Sequence, residues 1–306
     1  MDHVTPACAT QRTAKVLENI RLARDTYLIR LEAPDLTEDI RPGQFVMIKP
    51  GSGTDPLLGR PFALYNVTRT PPGPPLAIEI VYQVVGKGTA ALAAARIADR
   101  LHLWGPLGNG FGPPPDGPVI FVAGGIGQTP FLALGRWWTG QQTYGRVRYA
   151  NPDVNVNINS LPNEPDTVVK TPVATSATLL YGVRSAAYLA GLEDFRENGI
   201  AVEVATDDGS AGHHGYVTDL LEQRLIRGER PAKVIGCGPP AMLASLTRLV
   251  NRYDIPCDLS LENHMACGFG VCFSCVAPIR QGDGSTDLRR VCVEGPVFNA
   301  RDVAWA

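Results

Sequence analysis

Hydrophobic and polar residues alternate along short stretches in the first third of the chain, and glycines and prolines separate these stretches. The clearest stretches are "AKVLENIRLA", "TYLIRLEAP", "GQFVMIKP", "LAIEIVYQVV" and "RLHLWGPLGNG". A period of two is typical of strands with one buried face, so we predict a small antiparallel β-barrel over residues 11–114. Within it, "GTAALAAARIAD" has the spacing of a helix.

The pattern changes after the proline-rich loop "GPPPDGP". The stretch "VIFVAGGIGQTPFLALGRWW" contains a continuous apolar strand, a glycine turn and a helix. Further strands are expected at residues 177–185, 199–208 and 232–240, and helices at 186–198, 215–225 and 240–253. Alternating strands and helices predict a doubly wound α/β domain over residues 115–258.

Residues 140–177 interrupt the α/β pattern. They are rich in Asn, Pro and Thr and show little periodicity. So long a stretch without regular structure is unusual inside a compact domain, and we interpret it as a surface insertion. We expect it to loop into solvent; contact with a partner is the alternative.

The bulk composition excludes several classes of protein. A chain of 306 residues is long enough for two or three domains. Its 28 basic and 30 acidic residues leave a net charge of -2, which gives no support to nucleic-acid binding. The N-terminus lacks the basic and apolar segments of a secretory signal, and no apolar run approaches the ~20 residues that cross a bilayer. We therefore expect a soluble, cytoplasmic protein that does not bind a membrane.

Four of the seven cysteines are concentrated near the C-terminus. Cys267, Cys272 and Cys275 follow the spacing C-x4-C-x2-C, and Cys292 lies further along the chain. This is the plant-type spacing of a [2Fe-2S] cluster. Residues 259–306 contain few large apolar residues, so we predict a small cluster-binding module there, stabilised by its metal centre.

A structural zinc site is the alternative for these four thiols. Zinc modules usually present two closely spaced cysteine pairs, whereas here only Cys272 and Cys275 are spaced in that way. Gly268 and Gly270 also favour the iron-sulfur interpretation, because a loop that bends around a cluster and directs N–H groups at its sulfurs favours glycine.

Two glycine-containing turns each follow a predicted strand and precede a predicted helix. "VAGGIGQTP" supplies Gly125 and Gly127, and "GCGPPAML" supplies Cys237. Such turns lie at the carboxyl ends of the strands, where α/β domains bind dinucleotides. A plain strand-to-helix connection is the alternative for each turn taken alone.

Two motifs in the predicted barrel suit a diphosphate. "GRPFALYNV" contributes Arg60, and "VGKGTAAL" contributes Gly88 and Thr89 at the start of a helix. A guanidinium group and a helix N-terminus both attract phosphate. Taken singly, an exposed arginine and an ordinary turn remain the alternatives.

These motifs, in this order, resemble the ferredoxin-reductase superfamily. Within it, the chain is most similar to the electron-transfer subunits of two-component, NAD-linked dihydroorotate dehydrogenases. The resemblance covers nearly the whole chain and is most specific in "SLENHMACGFGVCFSC" and "VCVEGPVF". It implies a multidomain β and α/β protein with an FAD-binding β-barrel, an NAD-binding domain and a C-terminal [2Fe-2S] module.

The resemblance also implies roles for individual residues. Those expected to bind FAD are Arg60, Pro61, Phe62, Ala63, Val81, Tyr82, Gln83, Gly88 and Thr89. Those expected to flank NAD are Gly125, Gly127, Thr129 and Cys237, and the expected cluster ligands are Cys267, Cys272, Cys275 and Cys292. Ala63 departs from the family, which usually has serine there, so one hydroxyl contact to the flavin is missing.

The implied function is electron transfer in pyrimidine biosynthesis. A partner subunit would oxidise dihydroorotate at its FMN, and electrons would pass singly through the cluster to FAD and then in pairs to NAD+. A flavin links one-electron and two-electron carriers. No catalytic residue for the orotate chemistry is expected in this chain, and the family forms heterotetramers around a dimer of the FMN subunit.

Two alternatives to this function remain open at this point. The first is a related FAD and [2Fe-2S] reductase subunit that serves another acceptor. The second is a zinc-stabilised interaction module without catalytic activity. The nucleotide is also open, because Arg184 and Ser185, which follow a predicted strand, either contact a 2′-phosphate or only begin the next helix. The resemblance favours NAD over NADP.

Overall fold

The structure, a computed structural model, describes residues 9–51, 53–69, 75–145 and 173–305. Its strands are β1 (Thr10–Ala23), β2 (Thr26–Glu32), β3 (Phe45–Lys49), β4 (Arg60–Ala63), β5 (Asn66–Arg69), β6 (Pro75–Gln83), β7 (Arg100–Leu107), β8 (Pro118–Gly124), β9 (Ser176–Val183), β10 (Ala201–Thr206), β11 (His213–His214), β12 (Lys233–Cys237), β13 (Cys257–Ser260), β14 (Val276–Arg280), β15 (Thr286–Arg290) and β16 (Val297–Asn299). Its α-helices are α1 (Pro34–Asp39), α2 (Lys87–Ala93), α3 (Phe131–Trp138), α4 (Leu192–Glu197), α5 (Val217–Ile226) and α6 (Pro240–Arg252).

The first sheet is antiparallel and curled, as the alternating pattern predicts. Its seven strands lie in the order β4-β3-β7-β1-β2-β6-β5. The connection between the two edge strands bridges the sheet, because the Leu64 N–H donates to the Gln44 carbonyl and the Tyr65 N–H donates to the Glu79 carbonyl. The inward residues of the strands form one core, which includes Val16, Ile29, Leu31, Val46, Ile48, Ile78, Ile80 and Leu103.

The second sheet confirms the doubly wound α/β prediction. Its order is β11-β10-β9-β8-β12-β13-β16, with parallel pairing except between β13 and β16. Alternate residues of the central strands enter different cores: Ile120 and Val122 pack with α5 and α6, whereas Phe121 packs with α3 and α4. Both faces are therefore covered, which is typical of parallel sheets.

The C-terminal residues carry a separate hairpin of β14 and β15. An isolated bridge joins Ile279 of this hairpin to Val303. Between them, β16 returns to the second sheet and pairs with β13. The predicted boundary at residues 258 and 259 falls inside β13, and the domain limits as such stay predictions.

Two predicted helices are shorter in the structure than the pattern suggests. The one expected at 88–99 begins at Lys87 and ends at Ala93. The one expected at 186–198 is divided into a 3-10 turn at Ala186–Tyr188 and the helix α4. Gly191 separates these two pieces with a φ of 70°.

Most of the predicted insertion, residues 146–172, lies outside the described residues. The described start of it includes Tyr144, a buried side chain whose hydroxyl donates to the Asn66 amide oxygen at 3.0 Å. Across the described ranges, no helix is long and apolar enough to span a membrane.

Candidate functional site: a two-walled cleft beside a cysteine loop

A cleft of about 2090 Å³ opens between the two sheets. It is much larger than the ~300–1,000 Å³ of an ordinary ligand pocket. One wall comes from β4, β6 and the start of α2, and the other from the carboxyl ends of β8, β9 and β12. Its size and its two walls suit a pair of dinucleotides better than one small molecule.

Residues predicted to bind FAD lie on the first wall of this cleft. Those that line it are Arg60, Pro61, Phe62, Ala63, Val81, Tyr82, Gln83 and Thr89. Tyr82 is buried, and its hydroxyl donates to the Asn19 amide oxygen at 3.1 Å. Burial raises the pKa of Tyr82, so the phenol stays protonated. These assignments stay predictions, but the structure brings the residues together.

Gly88 belongs to the same wall, although it does not line the cleft. A Cβ added there would lie 2.5 Å from the Arg60 Nε, so the glycine leaves room for the guanidinium group. Thr89 lines the cleft, and its expected diphosphate contact stays a prediction. Its hydroxyl accepts from the N–H groups of Val85 and Gly86 at 2.9 and 3.1 Å, which fixes the turn before α2.

The predicted nicotinamide residues meet on the opposite wall. Gly125, Thr129 and Cys237 line the cleft. Gly127 lies behind them, and a Cβ there would lie 2.3 Å from the Cys237 carbonyl oxygen. The two glycine-containing turns are therefore in direct contact, which a side chain at Gly127 would prevent.

The sequence analysis did not identify two polar residues near the Cys237 turn, Ser260 and Glu262. Ser260 is the register partner of Cys237 on the neighbouring strand, and the two side chains are hydrogen-bonded. Two residues further on, Glu262 also lines the cleft. Its side chain is exposed to the cleft. Its position just after β13 is the signal that was available, because ligands bind at the carboxyl ends of such strands.

The four predicted cluster ligands come together as two pairs. The sulfurs of Cys267 and Cys272 lie 3.3 Å apart. Cys275 and Cys292 are both buried, and their side chains are hydrogen-bonded to each other. One pair is therefore at the surface and the other in the core.

The surroundings of the sulfurs differ between the two pairs. A hydrogen bond with the Ser274 hydroxyl is the main reason that the pKa of Cys272 falls to about 6. Burial, followed by the nearby Cys275, raises the pKa of Cys292 to about 12, while a backbone hydrogen bond from Gly270 opposes this. Gly268 and Gly270 have φ values of 83° and 87°, so the loop uses a backbone conformation that favours glycine.

The loop of residues 267–275, which carries Cys267, Cys272 and Cys275 and is here called the cysteine loop, packs directly on the first sheet. The Trp104 indole N–H donates to the Cys267 carbonyl at 2.9 Å. The same indole lies against Gly59, where an added Cβ would be 2.5 Å from the ring. Gly268 lies against β3 and β7, with an added Cβ 2.6 Å from the Met47 Cγ. One tryptophan thus connects the cysteine loop to the start of residues 59–67, "GRPFALYNV", here called the Arg60 motif.

The donor set fits a two-iron cluster. Each iron of a [2Fe-2S] centre takes two thiolates, and the structure presents two thiol pairs. Among the described residues, no set of three or more His, Cys, Asp or Glu side chains is arranged to hold a single metal ion. The C-x4-C-x2-C spacing with a distant fourth cysteine is that of a plant-type [2Fe-2S] centre.

Solved structures with the same architecture define the class of fold. The chain superposes on an NADH-dependent reduced ferredoxin-NADP oxidoreductase with a TM-score of 0.74, over 95% of this chain and 90% of that one, at 24% identity. It also superposes on a cytochrome P450 reductase from Amycolatopsis with a TM-score of 0.56, over 80% of this chain and 66% of that one, at 25% identity. The fold is that of the ferredoxin reductases.

Sequence relatives narrow this class. The chain is 32% identical to the electron transfer subunit of dihydroorotate dehydrogenase B (NAD(+)) from Desulforamulus reducens, over 95% of this chain and 97% of the relative. It is 35% identical to the subunit of the same name from Geobacillus thermodenitrificans, over 94% and 96%. Residues 262–304 match the iron-sulfur cluster binding domain of dihydroorotate dehydrogenase B. The chain belongs to this family of electron transfer subunits.

Proposed function

We propose that the chain carries electrons between a dihydroorotate-oxidising partner and NAD+. The partner's FMN gives up electrons, the cysteine loop passes them singly through a [2Fe-2S] cluster, and FAD in the cleft delivers them in pairs to NAD+. A flavin can exchange electrons with both kinds of carrier. This chain therefore supplies the path for the electrons, and the partner supplies the orotate chemistry.

One observation carries this proposal: the cysteine loop and the Arg60 motif share the side chain of Trp104. The indole contacts Gly59 on one side and donates to the Cys267 carbonyl on the other. A cluster held by the loop would therefore lie beside the wall assigned to FAD. Short separations between carriers are what an electron-transfer chain requires.

The two walls of the cleft support the assignment of the nucleotides. Arg60, next to Gly88, would hold the FAD diphosphate by charge-assisted hydrogen bonds. Gly125, Thr129 and Cys237, at the ends of parallel strands, would hold the nicotinamide dinucleotide. The protein's part is to orient the two rings towards each other and to exclude water from between them.

The surface around the cysteine loop supports a partner on that side. Three large apolar side chains of the loop are exposed: Phe269 by 47%, Val271 by 73% and Phe273 by 61%. Phe273 has a φ of 55° and lies under the guanidinium of Arg290, 5.0 Å from its ring centroid. Exposed apolar patches mark interaction sites. We assign this patch, here called the loop patch (Phe269, Val271 and Phe273), to the FMN subunit.

An anaerobic experiment tests the proposal. The purified chain, assayed for iron, acid-labile sulfide and flavin, should contain FAD and a [2Fe-2S] cluster, and NADH should bleach both chromophores. Alone it should reduce artificial acceptors with NADH but leave dihydroorotate unoxidised. Mixed with the FMN subunit, it should form a heterotetramer that reduces NAD+ with dihydroorotate.

Other results would support the alternatives. Electron delivery from NADH to a different acceptor, without dihydroorotate activity in the mixture, would identify a related reductase subunit. A colourless protein that contains zinc would identify an interaction module. The cytoplasmic location predicted from the sequence belongs to the same proposal and is tested by cell fractionation.

A further inference from the structure

A charged side chain, Arg290, reaches the cysteine loop from the neighbouring hairpin. Arg290 ends β15 and lies opposite Val276, the residue that follows Cys275. It also precedes Cys292 by two residues. The next N–H along the chain, that of Val291, donates to the Cys275 carbonyl at 2.9 Å. The hairpin therefore holds the backbone of Arg290 next to the backbones of both buried cysteines.

The guanidinium group of Arg290 extends onto the loop itself. Its Nη1 donates to the Gly270 carbonyl at 3.3 Å, and its central carbon lies 5.0 Å from the centroid of the Phe273 ring. A Cβ added at Gly270 would lie 3.4 Å from the same nitrogen. The N–H of Gly270 in turn hydrogen-bonds the Cys292 sulfur. One residue of the loop thus connects the positive charge to a thiol of the predicted cluster.

Glu294 fixes the orientation of this guanidinium group. Its carboxylate accepts from the backbone N–H of Arg290 at 2.8 Å and from the Arg290 Nε at 3.3 Å. The same carboxylate accepts from the adjacent Arg289 at 2.8 Å, so it is shared between two cations. Because Glu294 lies at the Nε edge, the Nη1 edge presents positive charge to the loop.

A positive charge in this place changes the energy of one-electron reduction. A two-iron centre held by four thiolates gains negative charge when it is reduced, and net charge and hydrogen bonds are among the factors that set its potential. By Coulomb's law, a nearby cation stabilises the reduced form more than the oxidised form. The Arg290 side chain is only 28% exposed, so water screens its charge less than it screens a fully exposed one.

We propose that Arg290 raises the reduction potential of the cluster that the four thiols would hold. The inference rests on the proposed function, because it requires a [2Fe-2S] cluster in the loop. The charge of Arg290 stabilises the added electron, and its contacts with Gly270, Phe273 and Glu294 hold that charge beside the loop. A partner that covers Phe273 in the loop patch would also shield the guanidinium from water and strengthen the effect.

The test is an anaerobic redox titration of the cluster-loaded protein, followed by the electron paramagnetic resonance signal of the reduced cluster. Arg290→Gln removes the charge and keeps a side chain that can donate hydrogen bonds. It should disfavour the reduced form about tenfold, which lowers the midpoint potential by about 59 mV for one electron. Arg290→Lys keeps the charge and should recover most of this shift. Arg290→Met is a second neutral variant, which should give the same shift and replaces Arg290→Gln if that variant loses its iron.

The matched control is Arg289→Gln. It removes the same charge from the adjacent residue, whose guanidinium contacts Gln281 at 2.7 Å and Glu294 instead of the loop. Its midpoint potential should stay close to that of the wild type. Iron and acid-labile sulfide contents, measured on every variant, show that the same cluster is being compared.

Three results would overturn the inference. The first is a wild-type midpoint potential in the neutral Arg290 variants. The second is an equal fall in Arg289→Gln, which would make the shift an effect of net charge rather than of position. The third is an Arg290→Lys variant with the potential of Arg290→Gln, which would assign the shift to loop geometry instead of charge. If the wild-type protein contains no iron and sulfide, the proposed function fails instead, so the two failures are distinguishable.

Discussion

The indole N–H of Trp104 donates to the backbone carbonyl of Cys267 at 2.9 Å and joins two segments that are 163 residues apart in the chain. Trp104 is on β7 of the first sheet, and Cys267 begins the cysteine loop. The bond therefore fixes the loop on the sheet that carries the Arg60 motif.

Replacing Trp104 by phenylalanine should loosen this connection. The change removes one hydrogen bond, worth about 0.5–1.5 kcal/mol, and part of the contact with Gly59. Stopped-flow absorbance should show normal bleaching of the flavin by NADH but slower reduction of the cluster. Trp138→Phe is the matched control, since it also loses an indole hydrogen bond, to the Gly112 carbonyl at 3.1 Å, away from the loop. Equal cluster kinetics in both variants would argue against the connection.

Replacing Cys275 by serine should abolish the cluster. This thiol belongs to the buried pair with Cys292, and a hydroxyl is a poor ligand for iron. We expect iron and sulfide contents near zero while FAD is retained. Cys257→Ala, which also removes a buried thiol, should keep both contents at the wild-type level. Loss of iron from the Cys257 variant would mean that the ligand set is misassigned.

Replacing Gly88 by alanine should weaken FAD binding. The new Cβ would lie 2.5 Å from the Arg60 Nε, so the guanidinium must move from its place on the wall. We expect the Kd for FAD to rise about tenfold, or ~1.4 kcal/mol, as measured by flavin fluorescence. Gly86→Ala, two residues away and with open space around it, should bind FAD normally. Similar affinities in both variants would remove Arg60 from the FAD site.

Replacing Gly268 by alanine should destabilise the cysteine loop. The residue has a φ of 83°, and a Cβ would lie 2.6 Å from the Met47 Cγ. Backbone strain of this kind costs about 1–3 kcal/mol, to which the steric clash adds. Thermal unfolding and cluster retention should both decrease. Gly282→Ala, with nothing near its added Cβ, should behave as the wild type. Wild-type thermal stability and cluster retention in Gly268→Ala would contradict this account of the loop.

Replacing Val271 by aspartate should prevent assembly with the proposed FMN-containing partner. Val271 is 73% exposed in the loop patch, so a charge there would be buried without a partner in the complex. Size-exclusion chromatography of the mixture should show separate subunits, with the iron content of the variant unchanged. Ile226→Asp changes a side chain that is 69% exposed at the end of α5 and should assemble normally. A heterotetramer formed by the Val271 variant would place the partner elsewhere.

Local patterns predicted the sheets and the turns well. The alternating stretches became the strands of the first sheet, and "VAGGIGQTP" became the end of β8, a 3-10 turn and then α3. Each of these depends on residues close together in the chain. The fold class and the grouping of the four cysteines could therefore be predicted, while the domain limits stay predictions.

Contacts between distant segments could not be predicted in this way. The helix predicted over residues 186–198 is interrupted at Gly191, which has a φ of 70°. A Cβ there would lie 2.5 Å from the hydroxyl of Tyr65, a residue of the connection between β4 and β5. That hydroxyl donates to Asp194 at 2.6 Å. The links of Trp104 to Cys267 and of Ser260 to Cys237 likewise join segments far apart in sequence. The geometry of these contacts depends on the tertiary fold, which a local sequence pattern does not determine.

The antiparallel pairing of β16 with β13 limits how such a protein can be engineered. Because β16 completes the second sheet after the chain has passed through the cysteine loop and the hairpin, a truncation before the loop would leave β13 as an unpaired edge. A minimal flavin reductase obtained by cutting the chain there would be prone to aggregation. Chimeras that exchange the cluster between relatives should therefore keep the two strands from the same parent.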